Sequence, residues 1–271
     1  MDSQTAAPQA HITTVEVGSQ RLRVRIRPGK GKGLPLLICN GIGASLELVT
    51  PFVEALDGVE TITFDVPGTG GSPRPPVPLR FSCLARLTAQ MLDRLGYREV
   101  DVLGVSWGGG LAQQFALQYP ERCRKLILAA TSAGAVMVPG RLSAILKLAS
   151  PRRYFEPAYL ASIAPEIYGG DFRKNPELAR ELGHDGKLPD WLGYHFQMFA
   201  VWGWTSIHWL HRLRQPTLVL GGSDDPLVPL INARVLAALI PKAQLHVVDC
   251  GHLFLLTRAR EVAPIIKQFL I

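Results

Sequence analysis

The 271-residue sequence contains little cysteine and no long apolar run. Its four cysteines are Cys39, Cys83, Cys123 and Cys250. They lie far apart and form no Cys-x-x-Cys pair, so we expect free thiols in a reducing compartment, with neither disulfides nor a zinc site. No apolar stretch approaches the ~20 residues of a transmembrane helix, so we do not expect an integral membrane protein. The first eight residues lack a basic stretch followed by an apolar one, so we expect no signal peptide.

Positive charge is in excess, with 29 lysines and arginines against 22 aspartates and glutamates. Such an excess is typical either of a protein with an anionic partner or of a solvated surface without one. The clearest cluster is residues 21–27, where four arginines alternate with Leu22, Val24 and Ile26. This alternation predicts a strand with one arginine face, of the kind that blocks edge-to-edge pairing. Neither aromatic stacking positions nor a known binding module accompanies it, so we expect no nucleic-acid partner.

Strand and helix patterns alternate along most of the chain. Strands are predicted at about 11–18, 21–27, 34–39, 61–64, 100–103, 125–130, 216–220 and 244–248. Helices are predicted at about 45–57 with a break near Pro51, and at about 82–95, 108–117 and 259–270. This alternation predicts an α/β fold with a mostly parallel central sheet and helices on both faces. The alternation stops between residues 135 and 211. We therefore predict a core formed by residues 1–134 and 212–271, and an inserted lid formed by residues 135–211.

The pentapeptide Gly104-Val105-Ser106-Trp107-Gly108 has the pattern G-x-S-x-G. It follows a predicted strand and precedes a predicted helix, and it resembles the nucleophile elbow of α/β-hydrolases. The glycines remove side chains that would clash in a turn this sharp, which leaves the Ser106 hydroxyl exposed above the strand ends. The alternative is an ordinary glycine-rich turn between a strand and a helix.

A nucleophilic serine needs a histidine as base and a carboxylate to orient that histidine. In α/β-hydrolases the chain order is Ser, then Asp or Glu, then His. His252 follows the last predicted strand and is our candidate base. Asp224 and Asp225 both follow the strand at 216–220. The surrounding stretch resembles the G-x-x-D-x-x-x-P pattern of α/β-hydrolases, which favours Asp225 and leaves Asp224 as a turn or helix-cap residue.

An oxyanion hole needs two backbone N–H donors. In this fold class one belongs to the residue after the nucleophile, here Trp107, and the other to the loop after the third strand. That loop comprises residues 40–43 and is called the oxyanion loop below. Within it we predict the N–H of Ile42 as the second donor. Many α/β-hydrolases have His-Gly at this place, whereas this chain has Asn40-Gly41. A second glycine-rich turn, residues 65–72, resembles the D-x-x-G-x-G-x-S turn of the same class, to which we assign no catalytic role.

The predicted lid is rich in large apolar residues. It holds four of the five tryptophans, which are Trp191, Trp202, Trp204 and Trp209. Some of these residues form the lid's own core, but their number above a catalytic edge favours an apolar substrate pocket. Our candidates for lining that pocket are Met137, Phe199, Trp202 and Trp204. We therefore expect an ester with a long apolar acyl group as substrate.

Five segments are similar to the intracellular medium-chain-length polyhydroxyalkanoate depolymerases of bacteria. They are residues 104–109, 133–140, 150–154, 203–211 and 251–255. This resemblance implies that the substrate is poly(3-hydroxyalkanoate) stored as cytoplasmic granules, and that Ser106, Asp225 and His252 form the catalytic triad. It also implies that neither a metal nor an organic cofactor takes part.

Two other functions stay open from the sequence. The first is a carboxylesterase or thioesterase that acts on small soluble acyl substrates, and the second is a granule-surface protein with a decayed active site. A further hypothesis concerns attachment to an anionic granule coat of proteins or lipids, through the arginine face of residues 21–27 or through Arg152 and Arg153.

Overall fold

A computed structural model describes residues 10–31, 33–150, 152, 156–181 and 190–271. The strands are β1 (His11–Val17), β2 (Gln20–Arg27), β3 (Leu36–Cys39), β4 (Thr61–Phe64), β5 (Val100–Val105), β6 (Cys123–Ala129), β7 (Thr217–Gly222) and β8 (Ala243–Val248). The helices are α1 (Thr50–Ala55), α2 (Phe81–Leu95), α3 (Trp107–Gln118), α4 (Leu142–Ala149), α5 (Pro157–Tyr168), α6 (Asp171–Lys174), α7 (Leu178–Glu181), α8 (Trp191–Val201), α9 (Leu230–Leu239), α10 (Phe254–Thr257) and α11 (Ala259–Leu270).

The strands form one eight-stranded sheet in the order β1-β2-β4-β3-β5-β6-β7-β8. Strand β2 is antiparallel to both of its neighbours, and every other neighbouring pair is parallel. The prediction of a mostly parallel α/β sheet is therefore confirmed. No helix in the described part of the chain is long and apolar enough to cross a membrane.

Both faces of the sheet are buried. Successive residues of a strand point to opposite faces, and in β3 Leu37 and Cys39 pack into one apolar cluster while Leu36 and Ile38 pack into the other. Helices α2, α3 and α9 contribute to the first cluster, and α1 and α11 contribute to the second. The continuous apolar run predicted at residues 34–39 is thus explained by burial on both sides.

Two predicted features of the core were wrong in detail. The helix expected over about 45–57 is confined to α1, because Pro51 lacks an N–H donor and is tolerated only in the first turn of a helix. The arginines of β2 do not protect a sheet edge, because β2 lies between β1 and β4. Arg23 instead bonds Glu47 at 2.5 Å and Asp65 at 3.2 Å.

Three of the four arginines on this face contact groups of the same chain, whereas Arg21 is exposed. Arg25 donates to the Thr50 hydroxyl at 2.7 Å, and Arg27 lies 3.9 Å from Asp57. The side chains of these two arginines are less than a quarter exposed. Arg152 pairs with Glu156, four residues later in the sequence, and Arg153 lies outside the described residues.

The described part of the predicted lid is helical and comprises α4 to α8. The chain leaves and re-enters the core through two adjacent segments, because Ala135 N–H donates to Trp204 O at 2.8 Å and Ser206 N–H donates to Ala133 O at 3.0 Å. Helices α4, α5, α6 and α7 share a small apolar cluster, which includes Ile163 of α5 and also Leu227 of the core. The lid boundaries at 135 and 211 stay a prediction.

An ion pair ties the lid to the last helix of the core. Asp171, the first residue of α6, accepts two hydrogen bonds from Arg258, each of 2.7 Å. These bonds lower the pKa of Asp171 to about 2, against burial, which acts in the opposite direction. Because the pKa of an unfolded aspartate is about 4, the ionised carboxylate stabilises the fold above that pH.

We expect Asp171→Asn to lower the melting temperature at pH 6 and to flatten its decline between pH 4 and 2, since the variant has no carboxylate to protonate. Arg258→Met is expected to have the same effect, and the double variant is expected to add little to either change. Melting temperatures measured across this pH range test the pair. Parallel pH profiles for Asp171→Asn and the unmodified protein would contradict the assignment.

Candidate active site

Ser106 occupies a strained turn between β5 and α3. Its φ of 53° and ψ of −117° lie in a region that residues with a side chain rarely adopt. A Cβ on Gly104 would lie 2.5 Å from the Gly108 carbonyl oxygen, and one on Gly108 would lie 2.1 Å from the Cys39 carbonyl oxygen. The glycines of the G-x-S-x-G pattern are therefore required by close backbone contacts, as the sequence predicts for an elbow.

The structure brings Ser106, His252 and Asp225 into one hydrogen-bonded line. His252 Nε2 lies 3.0 Å from Ser106 Oγ, and His252 Nδ1 lies 2.7 Å from Asp225 Oδ2. His252 and Asp225 are each only 6% exposed. An imidazole held in this way by a carboxylate can remove a proton from the serine hydroxyl.

Local backbone contacts fix the orientation of the acid and the histidine. The second oxygen of Asp225, Oδ1, accepts from the N–H groups of Leu227 and Val228 at 2.9 and 2.8 Å. The His252 N–H donates to the Tyr168 carbonyl oxygen at 2.7 Å. Tyr168 is the last residue of α5. The predicted lid therefore helps directly to hold residues 249–253, the loop that carries His252.

Asp224, the alternative acid, contacts the lid and not the histidine. Its Oδ2 accepts from Gly170 N–H at 2.8 Å and from Arg173 Nε at 2.7 Å. Burial alone would raise the pKa of Asp224, but these two hydrogen bonds outweigh burial and hold the pKa below its usual value. The geometry thus separates the two neighbouring aspartates by the partners that they contact.

The other histidines of the described chain occupy different surroundings. His195 lies on the exposed side of α8 with its ring 4.2 Å from the Trp191 ring, and His208 lies beside Trp209. His246 is inside β8, and His184 falls outside the described residues.

The oxyanion loop passes directly beside the nucleophile. A Cβ on Gly41 would lie 3.7 Å from the Cβ of Ser106. The Asn40 side chain is buried and donates to the Ser45 carbonyl oxygen at 3.1 Å, which orders the loop. Trp107 is the first residue of α3, and the first N–H groups of a helix have no acceptor within it. The roles of Ile42 and Trp107 as oxyanion donors stay predictions.

The four residues predicted to line the pocket lie in unlike surroundings. Trp204 packs edge-on against Phe81 and donates its indole N–H to Gln114 at 2.8 Å, so it anchors the lid to the core. Trp202 is 72% exposed. Phe199 is half-buried under the Arg80 guanidinium, and Met137 accepts a hydrogen bond from Ser132 Oγ at 3.3 Å. Their contact with substrate stays a prediction.

Sequence reasoning missed one polar residue next to this site. Gln197 is buried in α8 and contacts both the oxyanion loop and the 65–72 turn. The signal was a lone glutamine in the otherwise apolar run from Phe196 to Val201, because a buried polar side chain needs partners. No group of three or more metal-ligating side chains is present among the described residues.

A model of the α/β hydrolase fold family matches residues 35–154 and 194–259. This match covers more than half of the sequence, and the chain belongs to the α/β hydrolase fold family. The unmatched stretch between the two segments falls inside the predicted lid.

Two sequence relatives and one solved structure are similar to this chain over most of its length. The chain is 61% identical to the poly(3-hydroxyalkanoate) depolymerase of Ectopseudomonas oleovorans, with 97% of this chain and 94% of the relative aligned. It is 31% identical to a 2-hydroxy-6-oxononadienedioate/2-hydroxy-6-oxononatrienedioate hydrolase of Comamonas testosteroni, over 89% of this chain and 88% of the relative. The enol-lactonase structure from Burkholderia xenovorans LB400 superimposes with a TM-score of 0.80 at 21% identity, covering 95% of this chain and 99% of that one. This last similarity shows the fold alone.

We expect Gly108→Ala to lower the melting temperature by about 5 °C or more, because the added Cβ meets the carbonyl oxygens of Cys39 and Asn40 and neither strand nor loop can move aside freely. Gly33→Ala is the matched control, since a Cβ there meets no atom within 4 Å, and its melting temperature should stay unchanged. Thermal unfolding of both variants tests the requirement. Equal melting temperatures would show that the elbow tolerates a side chain.

Proposed function

We propose that the protein is a serine hydrolase that cleaves the ester bonds of poly(3-hydroxyalkanoate) with medium-length side chains and releases 3-hydroxy acids or oligomers. One observation carries this proposal. The chain that aligns over almost its whole length with a poly(3-hydroxyalkanoate) depolymerase also holds a serine, a histidine and an aspartate in hydrogen-bonded contact.

The proposed reaction has two steps. His252 Nε2 takes the proton of the Ser106 hydroxyl while Oγ attacks the ester carbonyl carbon. The tetrahedral intermediate collapses, the ester C–O bond breaks, and His252 gives the proton to the departing hydroxyl end of the polymer. Water then attacks the acyl-enzyme with His252 as base, which releases the new carboxylic acid and restores Ser106. Asp225 orients the imidazole and stabilises its charged form.

The negative charge of each intermediate forms on the former carbonyl oxygen. We assign the N–H groups of Ile42 and Trp107 to that oxygen, because both belong to segments that adjoin Ser106. Removing one such donor typically costs about a hundredfold or more in turnover. The reaction uses only groups of this chain, so it needs no metal or organic cofactor.

The exposed apolar side chains of the predicted lid favour an insoluble polyester as substrate. Nine of the sixteen large apolar side chains that are exposed in the described part of the chain lie in the lid. They are Val136, Val138, Leu142, Ile145, Leu146, Trp191, Leu192, Met198 and Trp202. Such a concentration on one segment is typical of an interaction surface. We propose that this apolar lid surface rests on the polymer granule, inside the cell as in the depolymerases that the sequence resembles.

This attachment is apolar and not electrostatic. Arg23 and Arg25, which the attachment hypothesis assigned to an anionic coat, bond to groups of the same chain. Arg152, the other residue of that hypothesis within the described chain, pairs with Glu156 at 2.7 Å. We therefore expect granule binding to persist at high salt.

We expect Asp225→Asn to lower kcat for a soluble p-nitrophenyl ester by about ten-thousandfold, because the histidine loses the carboxylate that fixes its tautomer. Asp224→Asn is the matched control, one residue away, and should keep kcat within about tenfold since its partners lie in the lid. Steady-state kinetics on the two purified variants decide between them. If Asp224→Asn lowered kcat much more than Asp225→Asn, Asp224 would be the acid of the triad.

We expect Leu142→Ser together with Leu146→Ser to slow clearing of a medium-chain polymer suspension more than hydrolysis of a soluble ester, because both side chains belong to the apolar lid surface. Leu239→Ser, an exposed leucine on α9, is the control and should change neither rate. Turbidity and p-nitrophenol release give the two rates.

The unmodified protein separates the proposal from its two alternatives. If it hydrolyses only the soluble ester, the carboxylesterase alternative is favoured. If a fluorophosphonate fails to label Ser106, a decayed active site is favoured.

A further inference from the structure

Gln197 lies on the side of α8 that faces the core. It is 3% exposed, and Gly193 one turn earlier packs so closely on the 65–72 turn that a Cβ there would lie 2.3 Å from the Gly68 carbonyl oxygen. Helix α8 therefore rests directly on core backbone at this point. The short distance brings the Gln197 amide within reach of groups that belong to the active site.

Three core segments contact this single lid residue. Gln197 Oε1 accepts from the Gly43 N–H of the oxyanion loop at 2.8 Å, and Nε2 donates to the Thr69 hydroxyl. The Gln197 carbonyl oxygen accepts from the indole N–H of Trp107, the residue after the nucleophile, at 2.8 Å. Both ends of the side-chain amide and the main-chain carbonyl are thus engaged with the core.

The bond to Gly43 bears on the geometry of the oxyanion loop. Gly43 has a φ of 68°, and the turn that contains it is closed by a 3.2 Å bond from Ala44 N–H to the Gly41 carbonyl oxygen. Ile42 lies inside this turn. The Gln197 amide holds the turn from the lid side, while Asn40 holds it from the core side through Ser45. Without Gln197, the Gly43 N–H would lose its acceptor in a partly buried place, which favours a different turn conformation.

We propose that Gln197 is a positioning residue for ester hydrolysis, and that it holds the Ile42 N–H in place only while α8 is seated on the core. The position of the second oxyanion donor then depends on a contact that α8 supplies from the predicted lid. This inference rests on the proposed function. It assigns to a lid residue a part in the chemical step, beyond shaping a pocket.

The test compares Gln197→Met, which keeps the side-chain volume but cannot bond Gly43, with Gln197→Glu, which keeps an acceptor for the Gly43 N–H. For a soluble p-nitrophenyl ester we expect Gln197→Met to lower kcat about tenfold to a hundredfold with KM changed less than threefold, because only the transition state carries the oxyanion. Gln197→Glu should recover most of the lost kcat. A trifluoromethyl ketone, whose adduct with Ser106 carries an oxyanion, should bind Gln197→Met more weakly by the same factor as the loss in kcat/KM.

Gln215→Met is the matched control. Gln215 is also a buried glutamine, and it donates to the Ala116 carbonyl oxygen at 3.0 Å, near the end of α3 that lies away from Ser106. The Gln215→Met variant should have a lower melting temperature than the unmodified protein but the same kcat. If Gln197→Met keeps kcat within twofold of an active unmodified protein, the positioning role is wrong and the proposed function stands. If the unmodified protein hydrolyses no ester and no fluorophosphonate labels Ser106, both proposals are wrong.

Discussion

The unfavourable backbone conformation of Ser106 is the constraint on which the rest of the structure depends. A residue with a side chain adopts a φ near 53° only where its surroundings enforce it. Here the Ser106 N–H is held by the Ala129 carbonyl oxygen of β6 at 2.9 Å, and its own carbonyl oxygen accepts from Thr131 at 2.7 Å. The parallel pairing of β5 with β3 and β6 therefore supplies the rigidity that the elbow needs, and the glycines supply the space.

Much of the core could be predicted because its signals are local. Strands buried on both faces are continuous apolar runs, and the glycine pattern around Ser106 marks a turn wherever it falls. His252 could be placed because it directly follows a strand whose carboxyl end shares one edge of the sheet with the elbow. Asp225 needed a resemblance in addition, because nothing local distinguishes two adjacent aspartates. Only their partners, 27 and 54 residues away, separate them.

The contacts of the predicted lid could not be predicted, because local sequence patterns do not show which distant residues a side chain meets. Helices α5 and α8 are apolar on more than one side, so periodicity does not reveal which side faces the core. Gln197 reads as an interruption of an apolar run, and its partners Gly43 and Thr69 lie 154 and 128 residues away in sequence. Trp204 was selected for the pocket by composition, whereas its contacts with Phe81 and Gln114 place it in the packing between lid and core.

The paired segments at the base of the lid have a wider consequence. Because Ala133–Ala135 and Trp204–Ser206 run side by side, the predicted insertion would begin and end at nearly one place in the fold. A segment attached in this way can change in length and composition while every strand keeps its register. A segment that replaced it would have to recreate the contacts that the predicted lid makes to the loop carrying His252, to the oxyanion loop, to Asp224 and to Arg258.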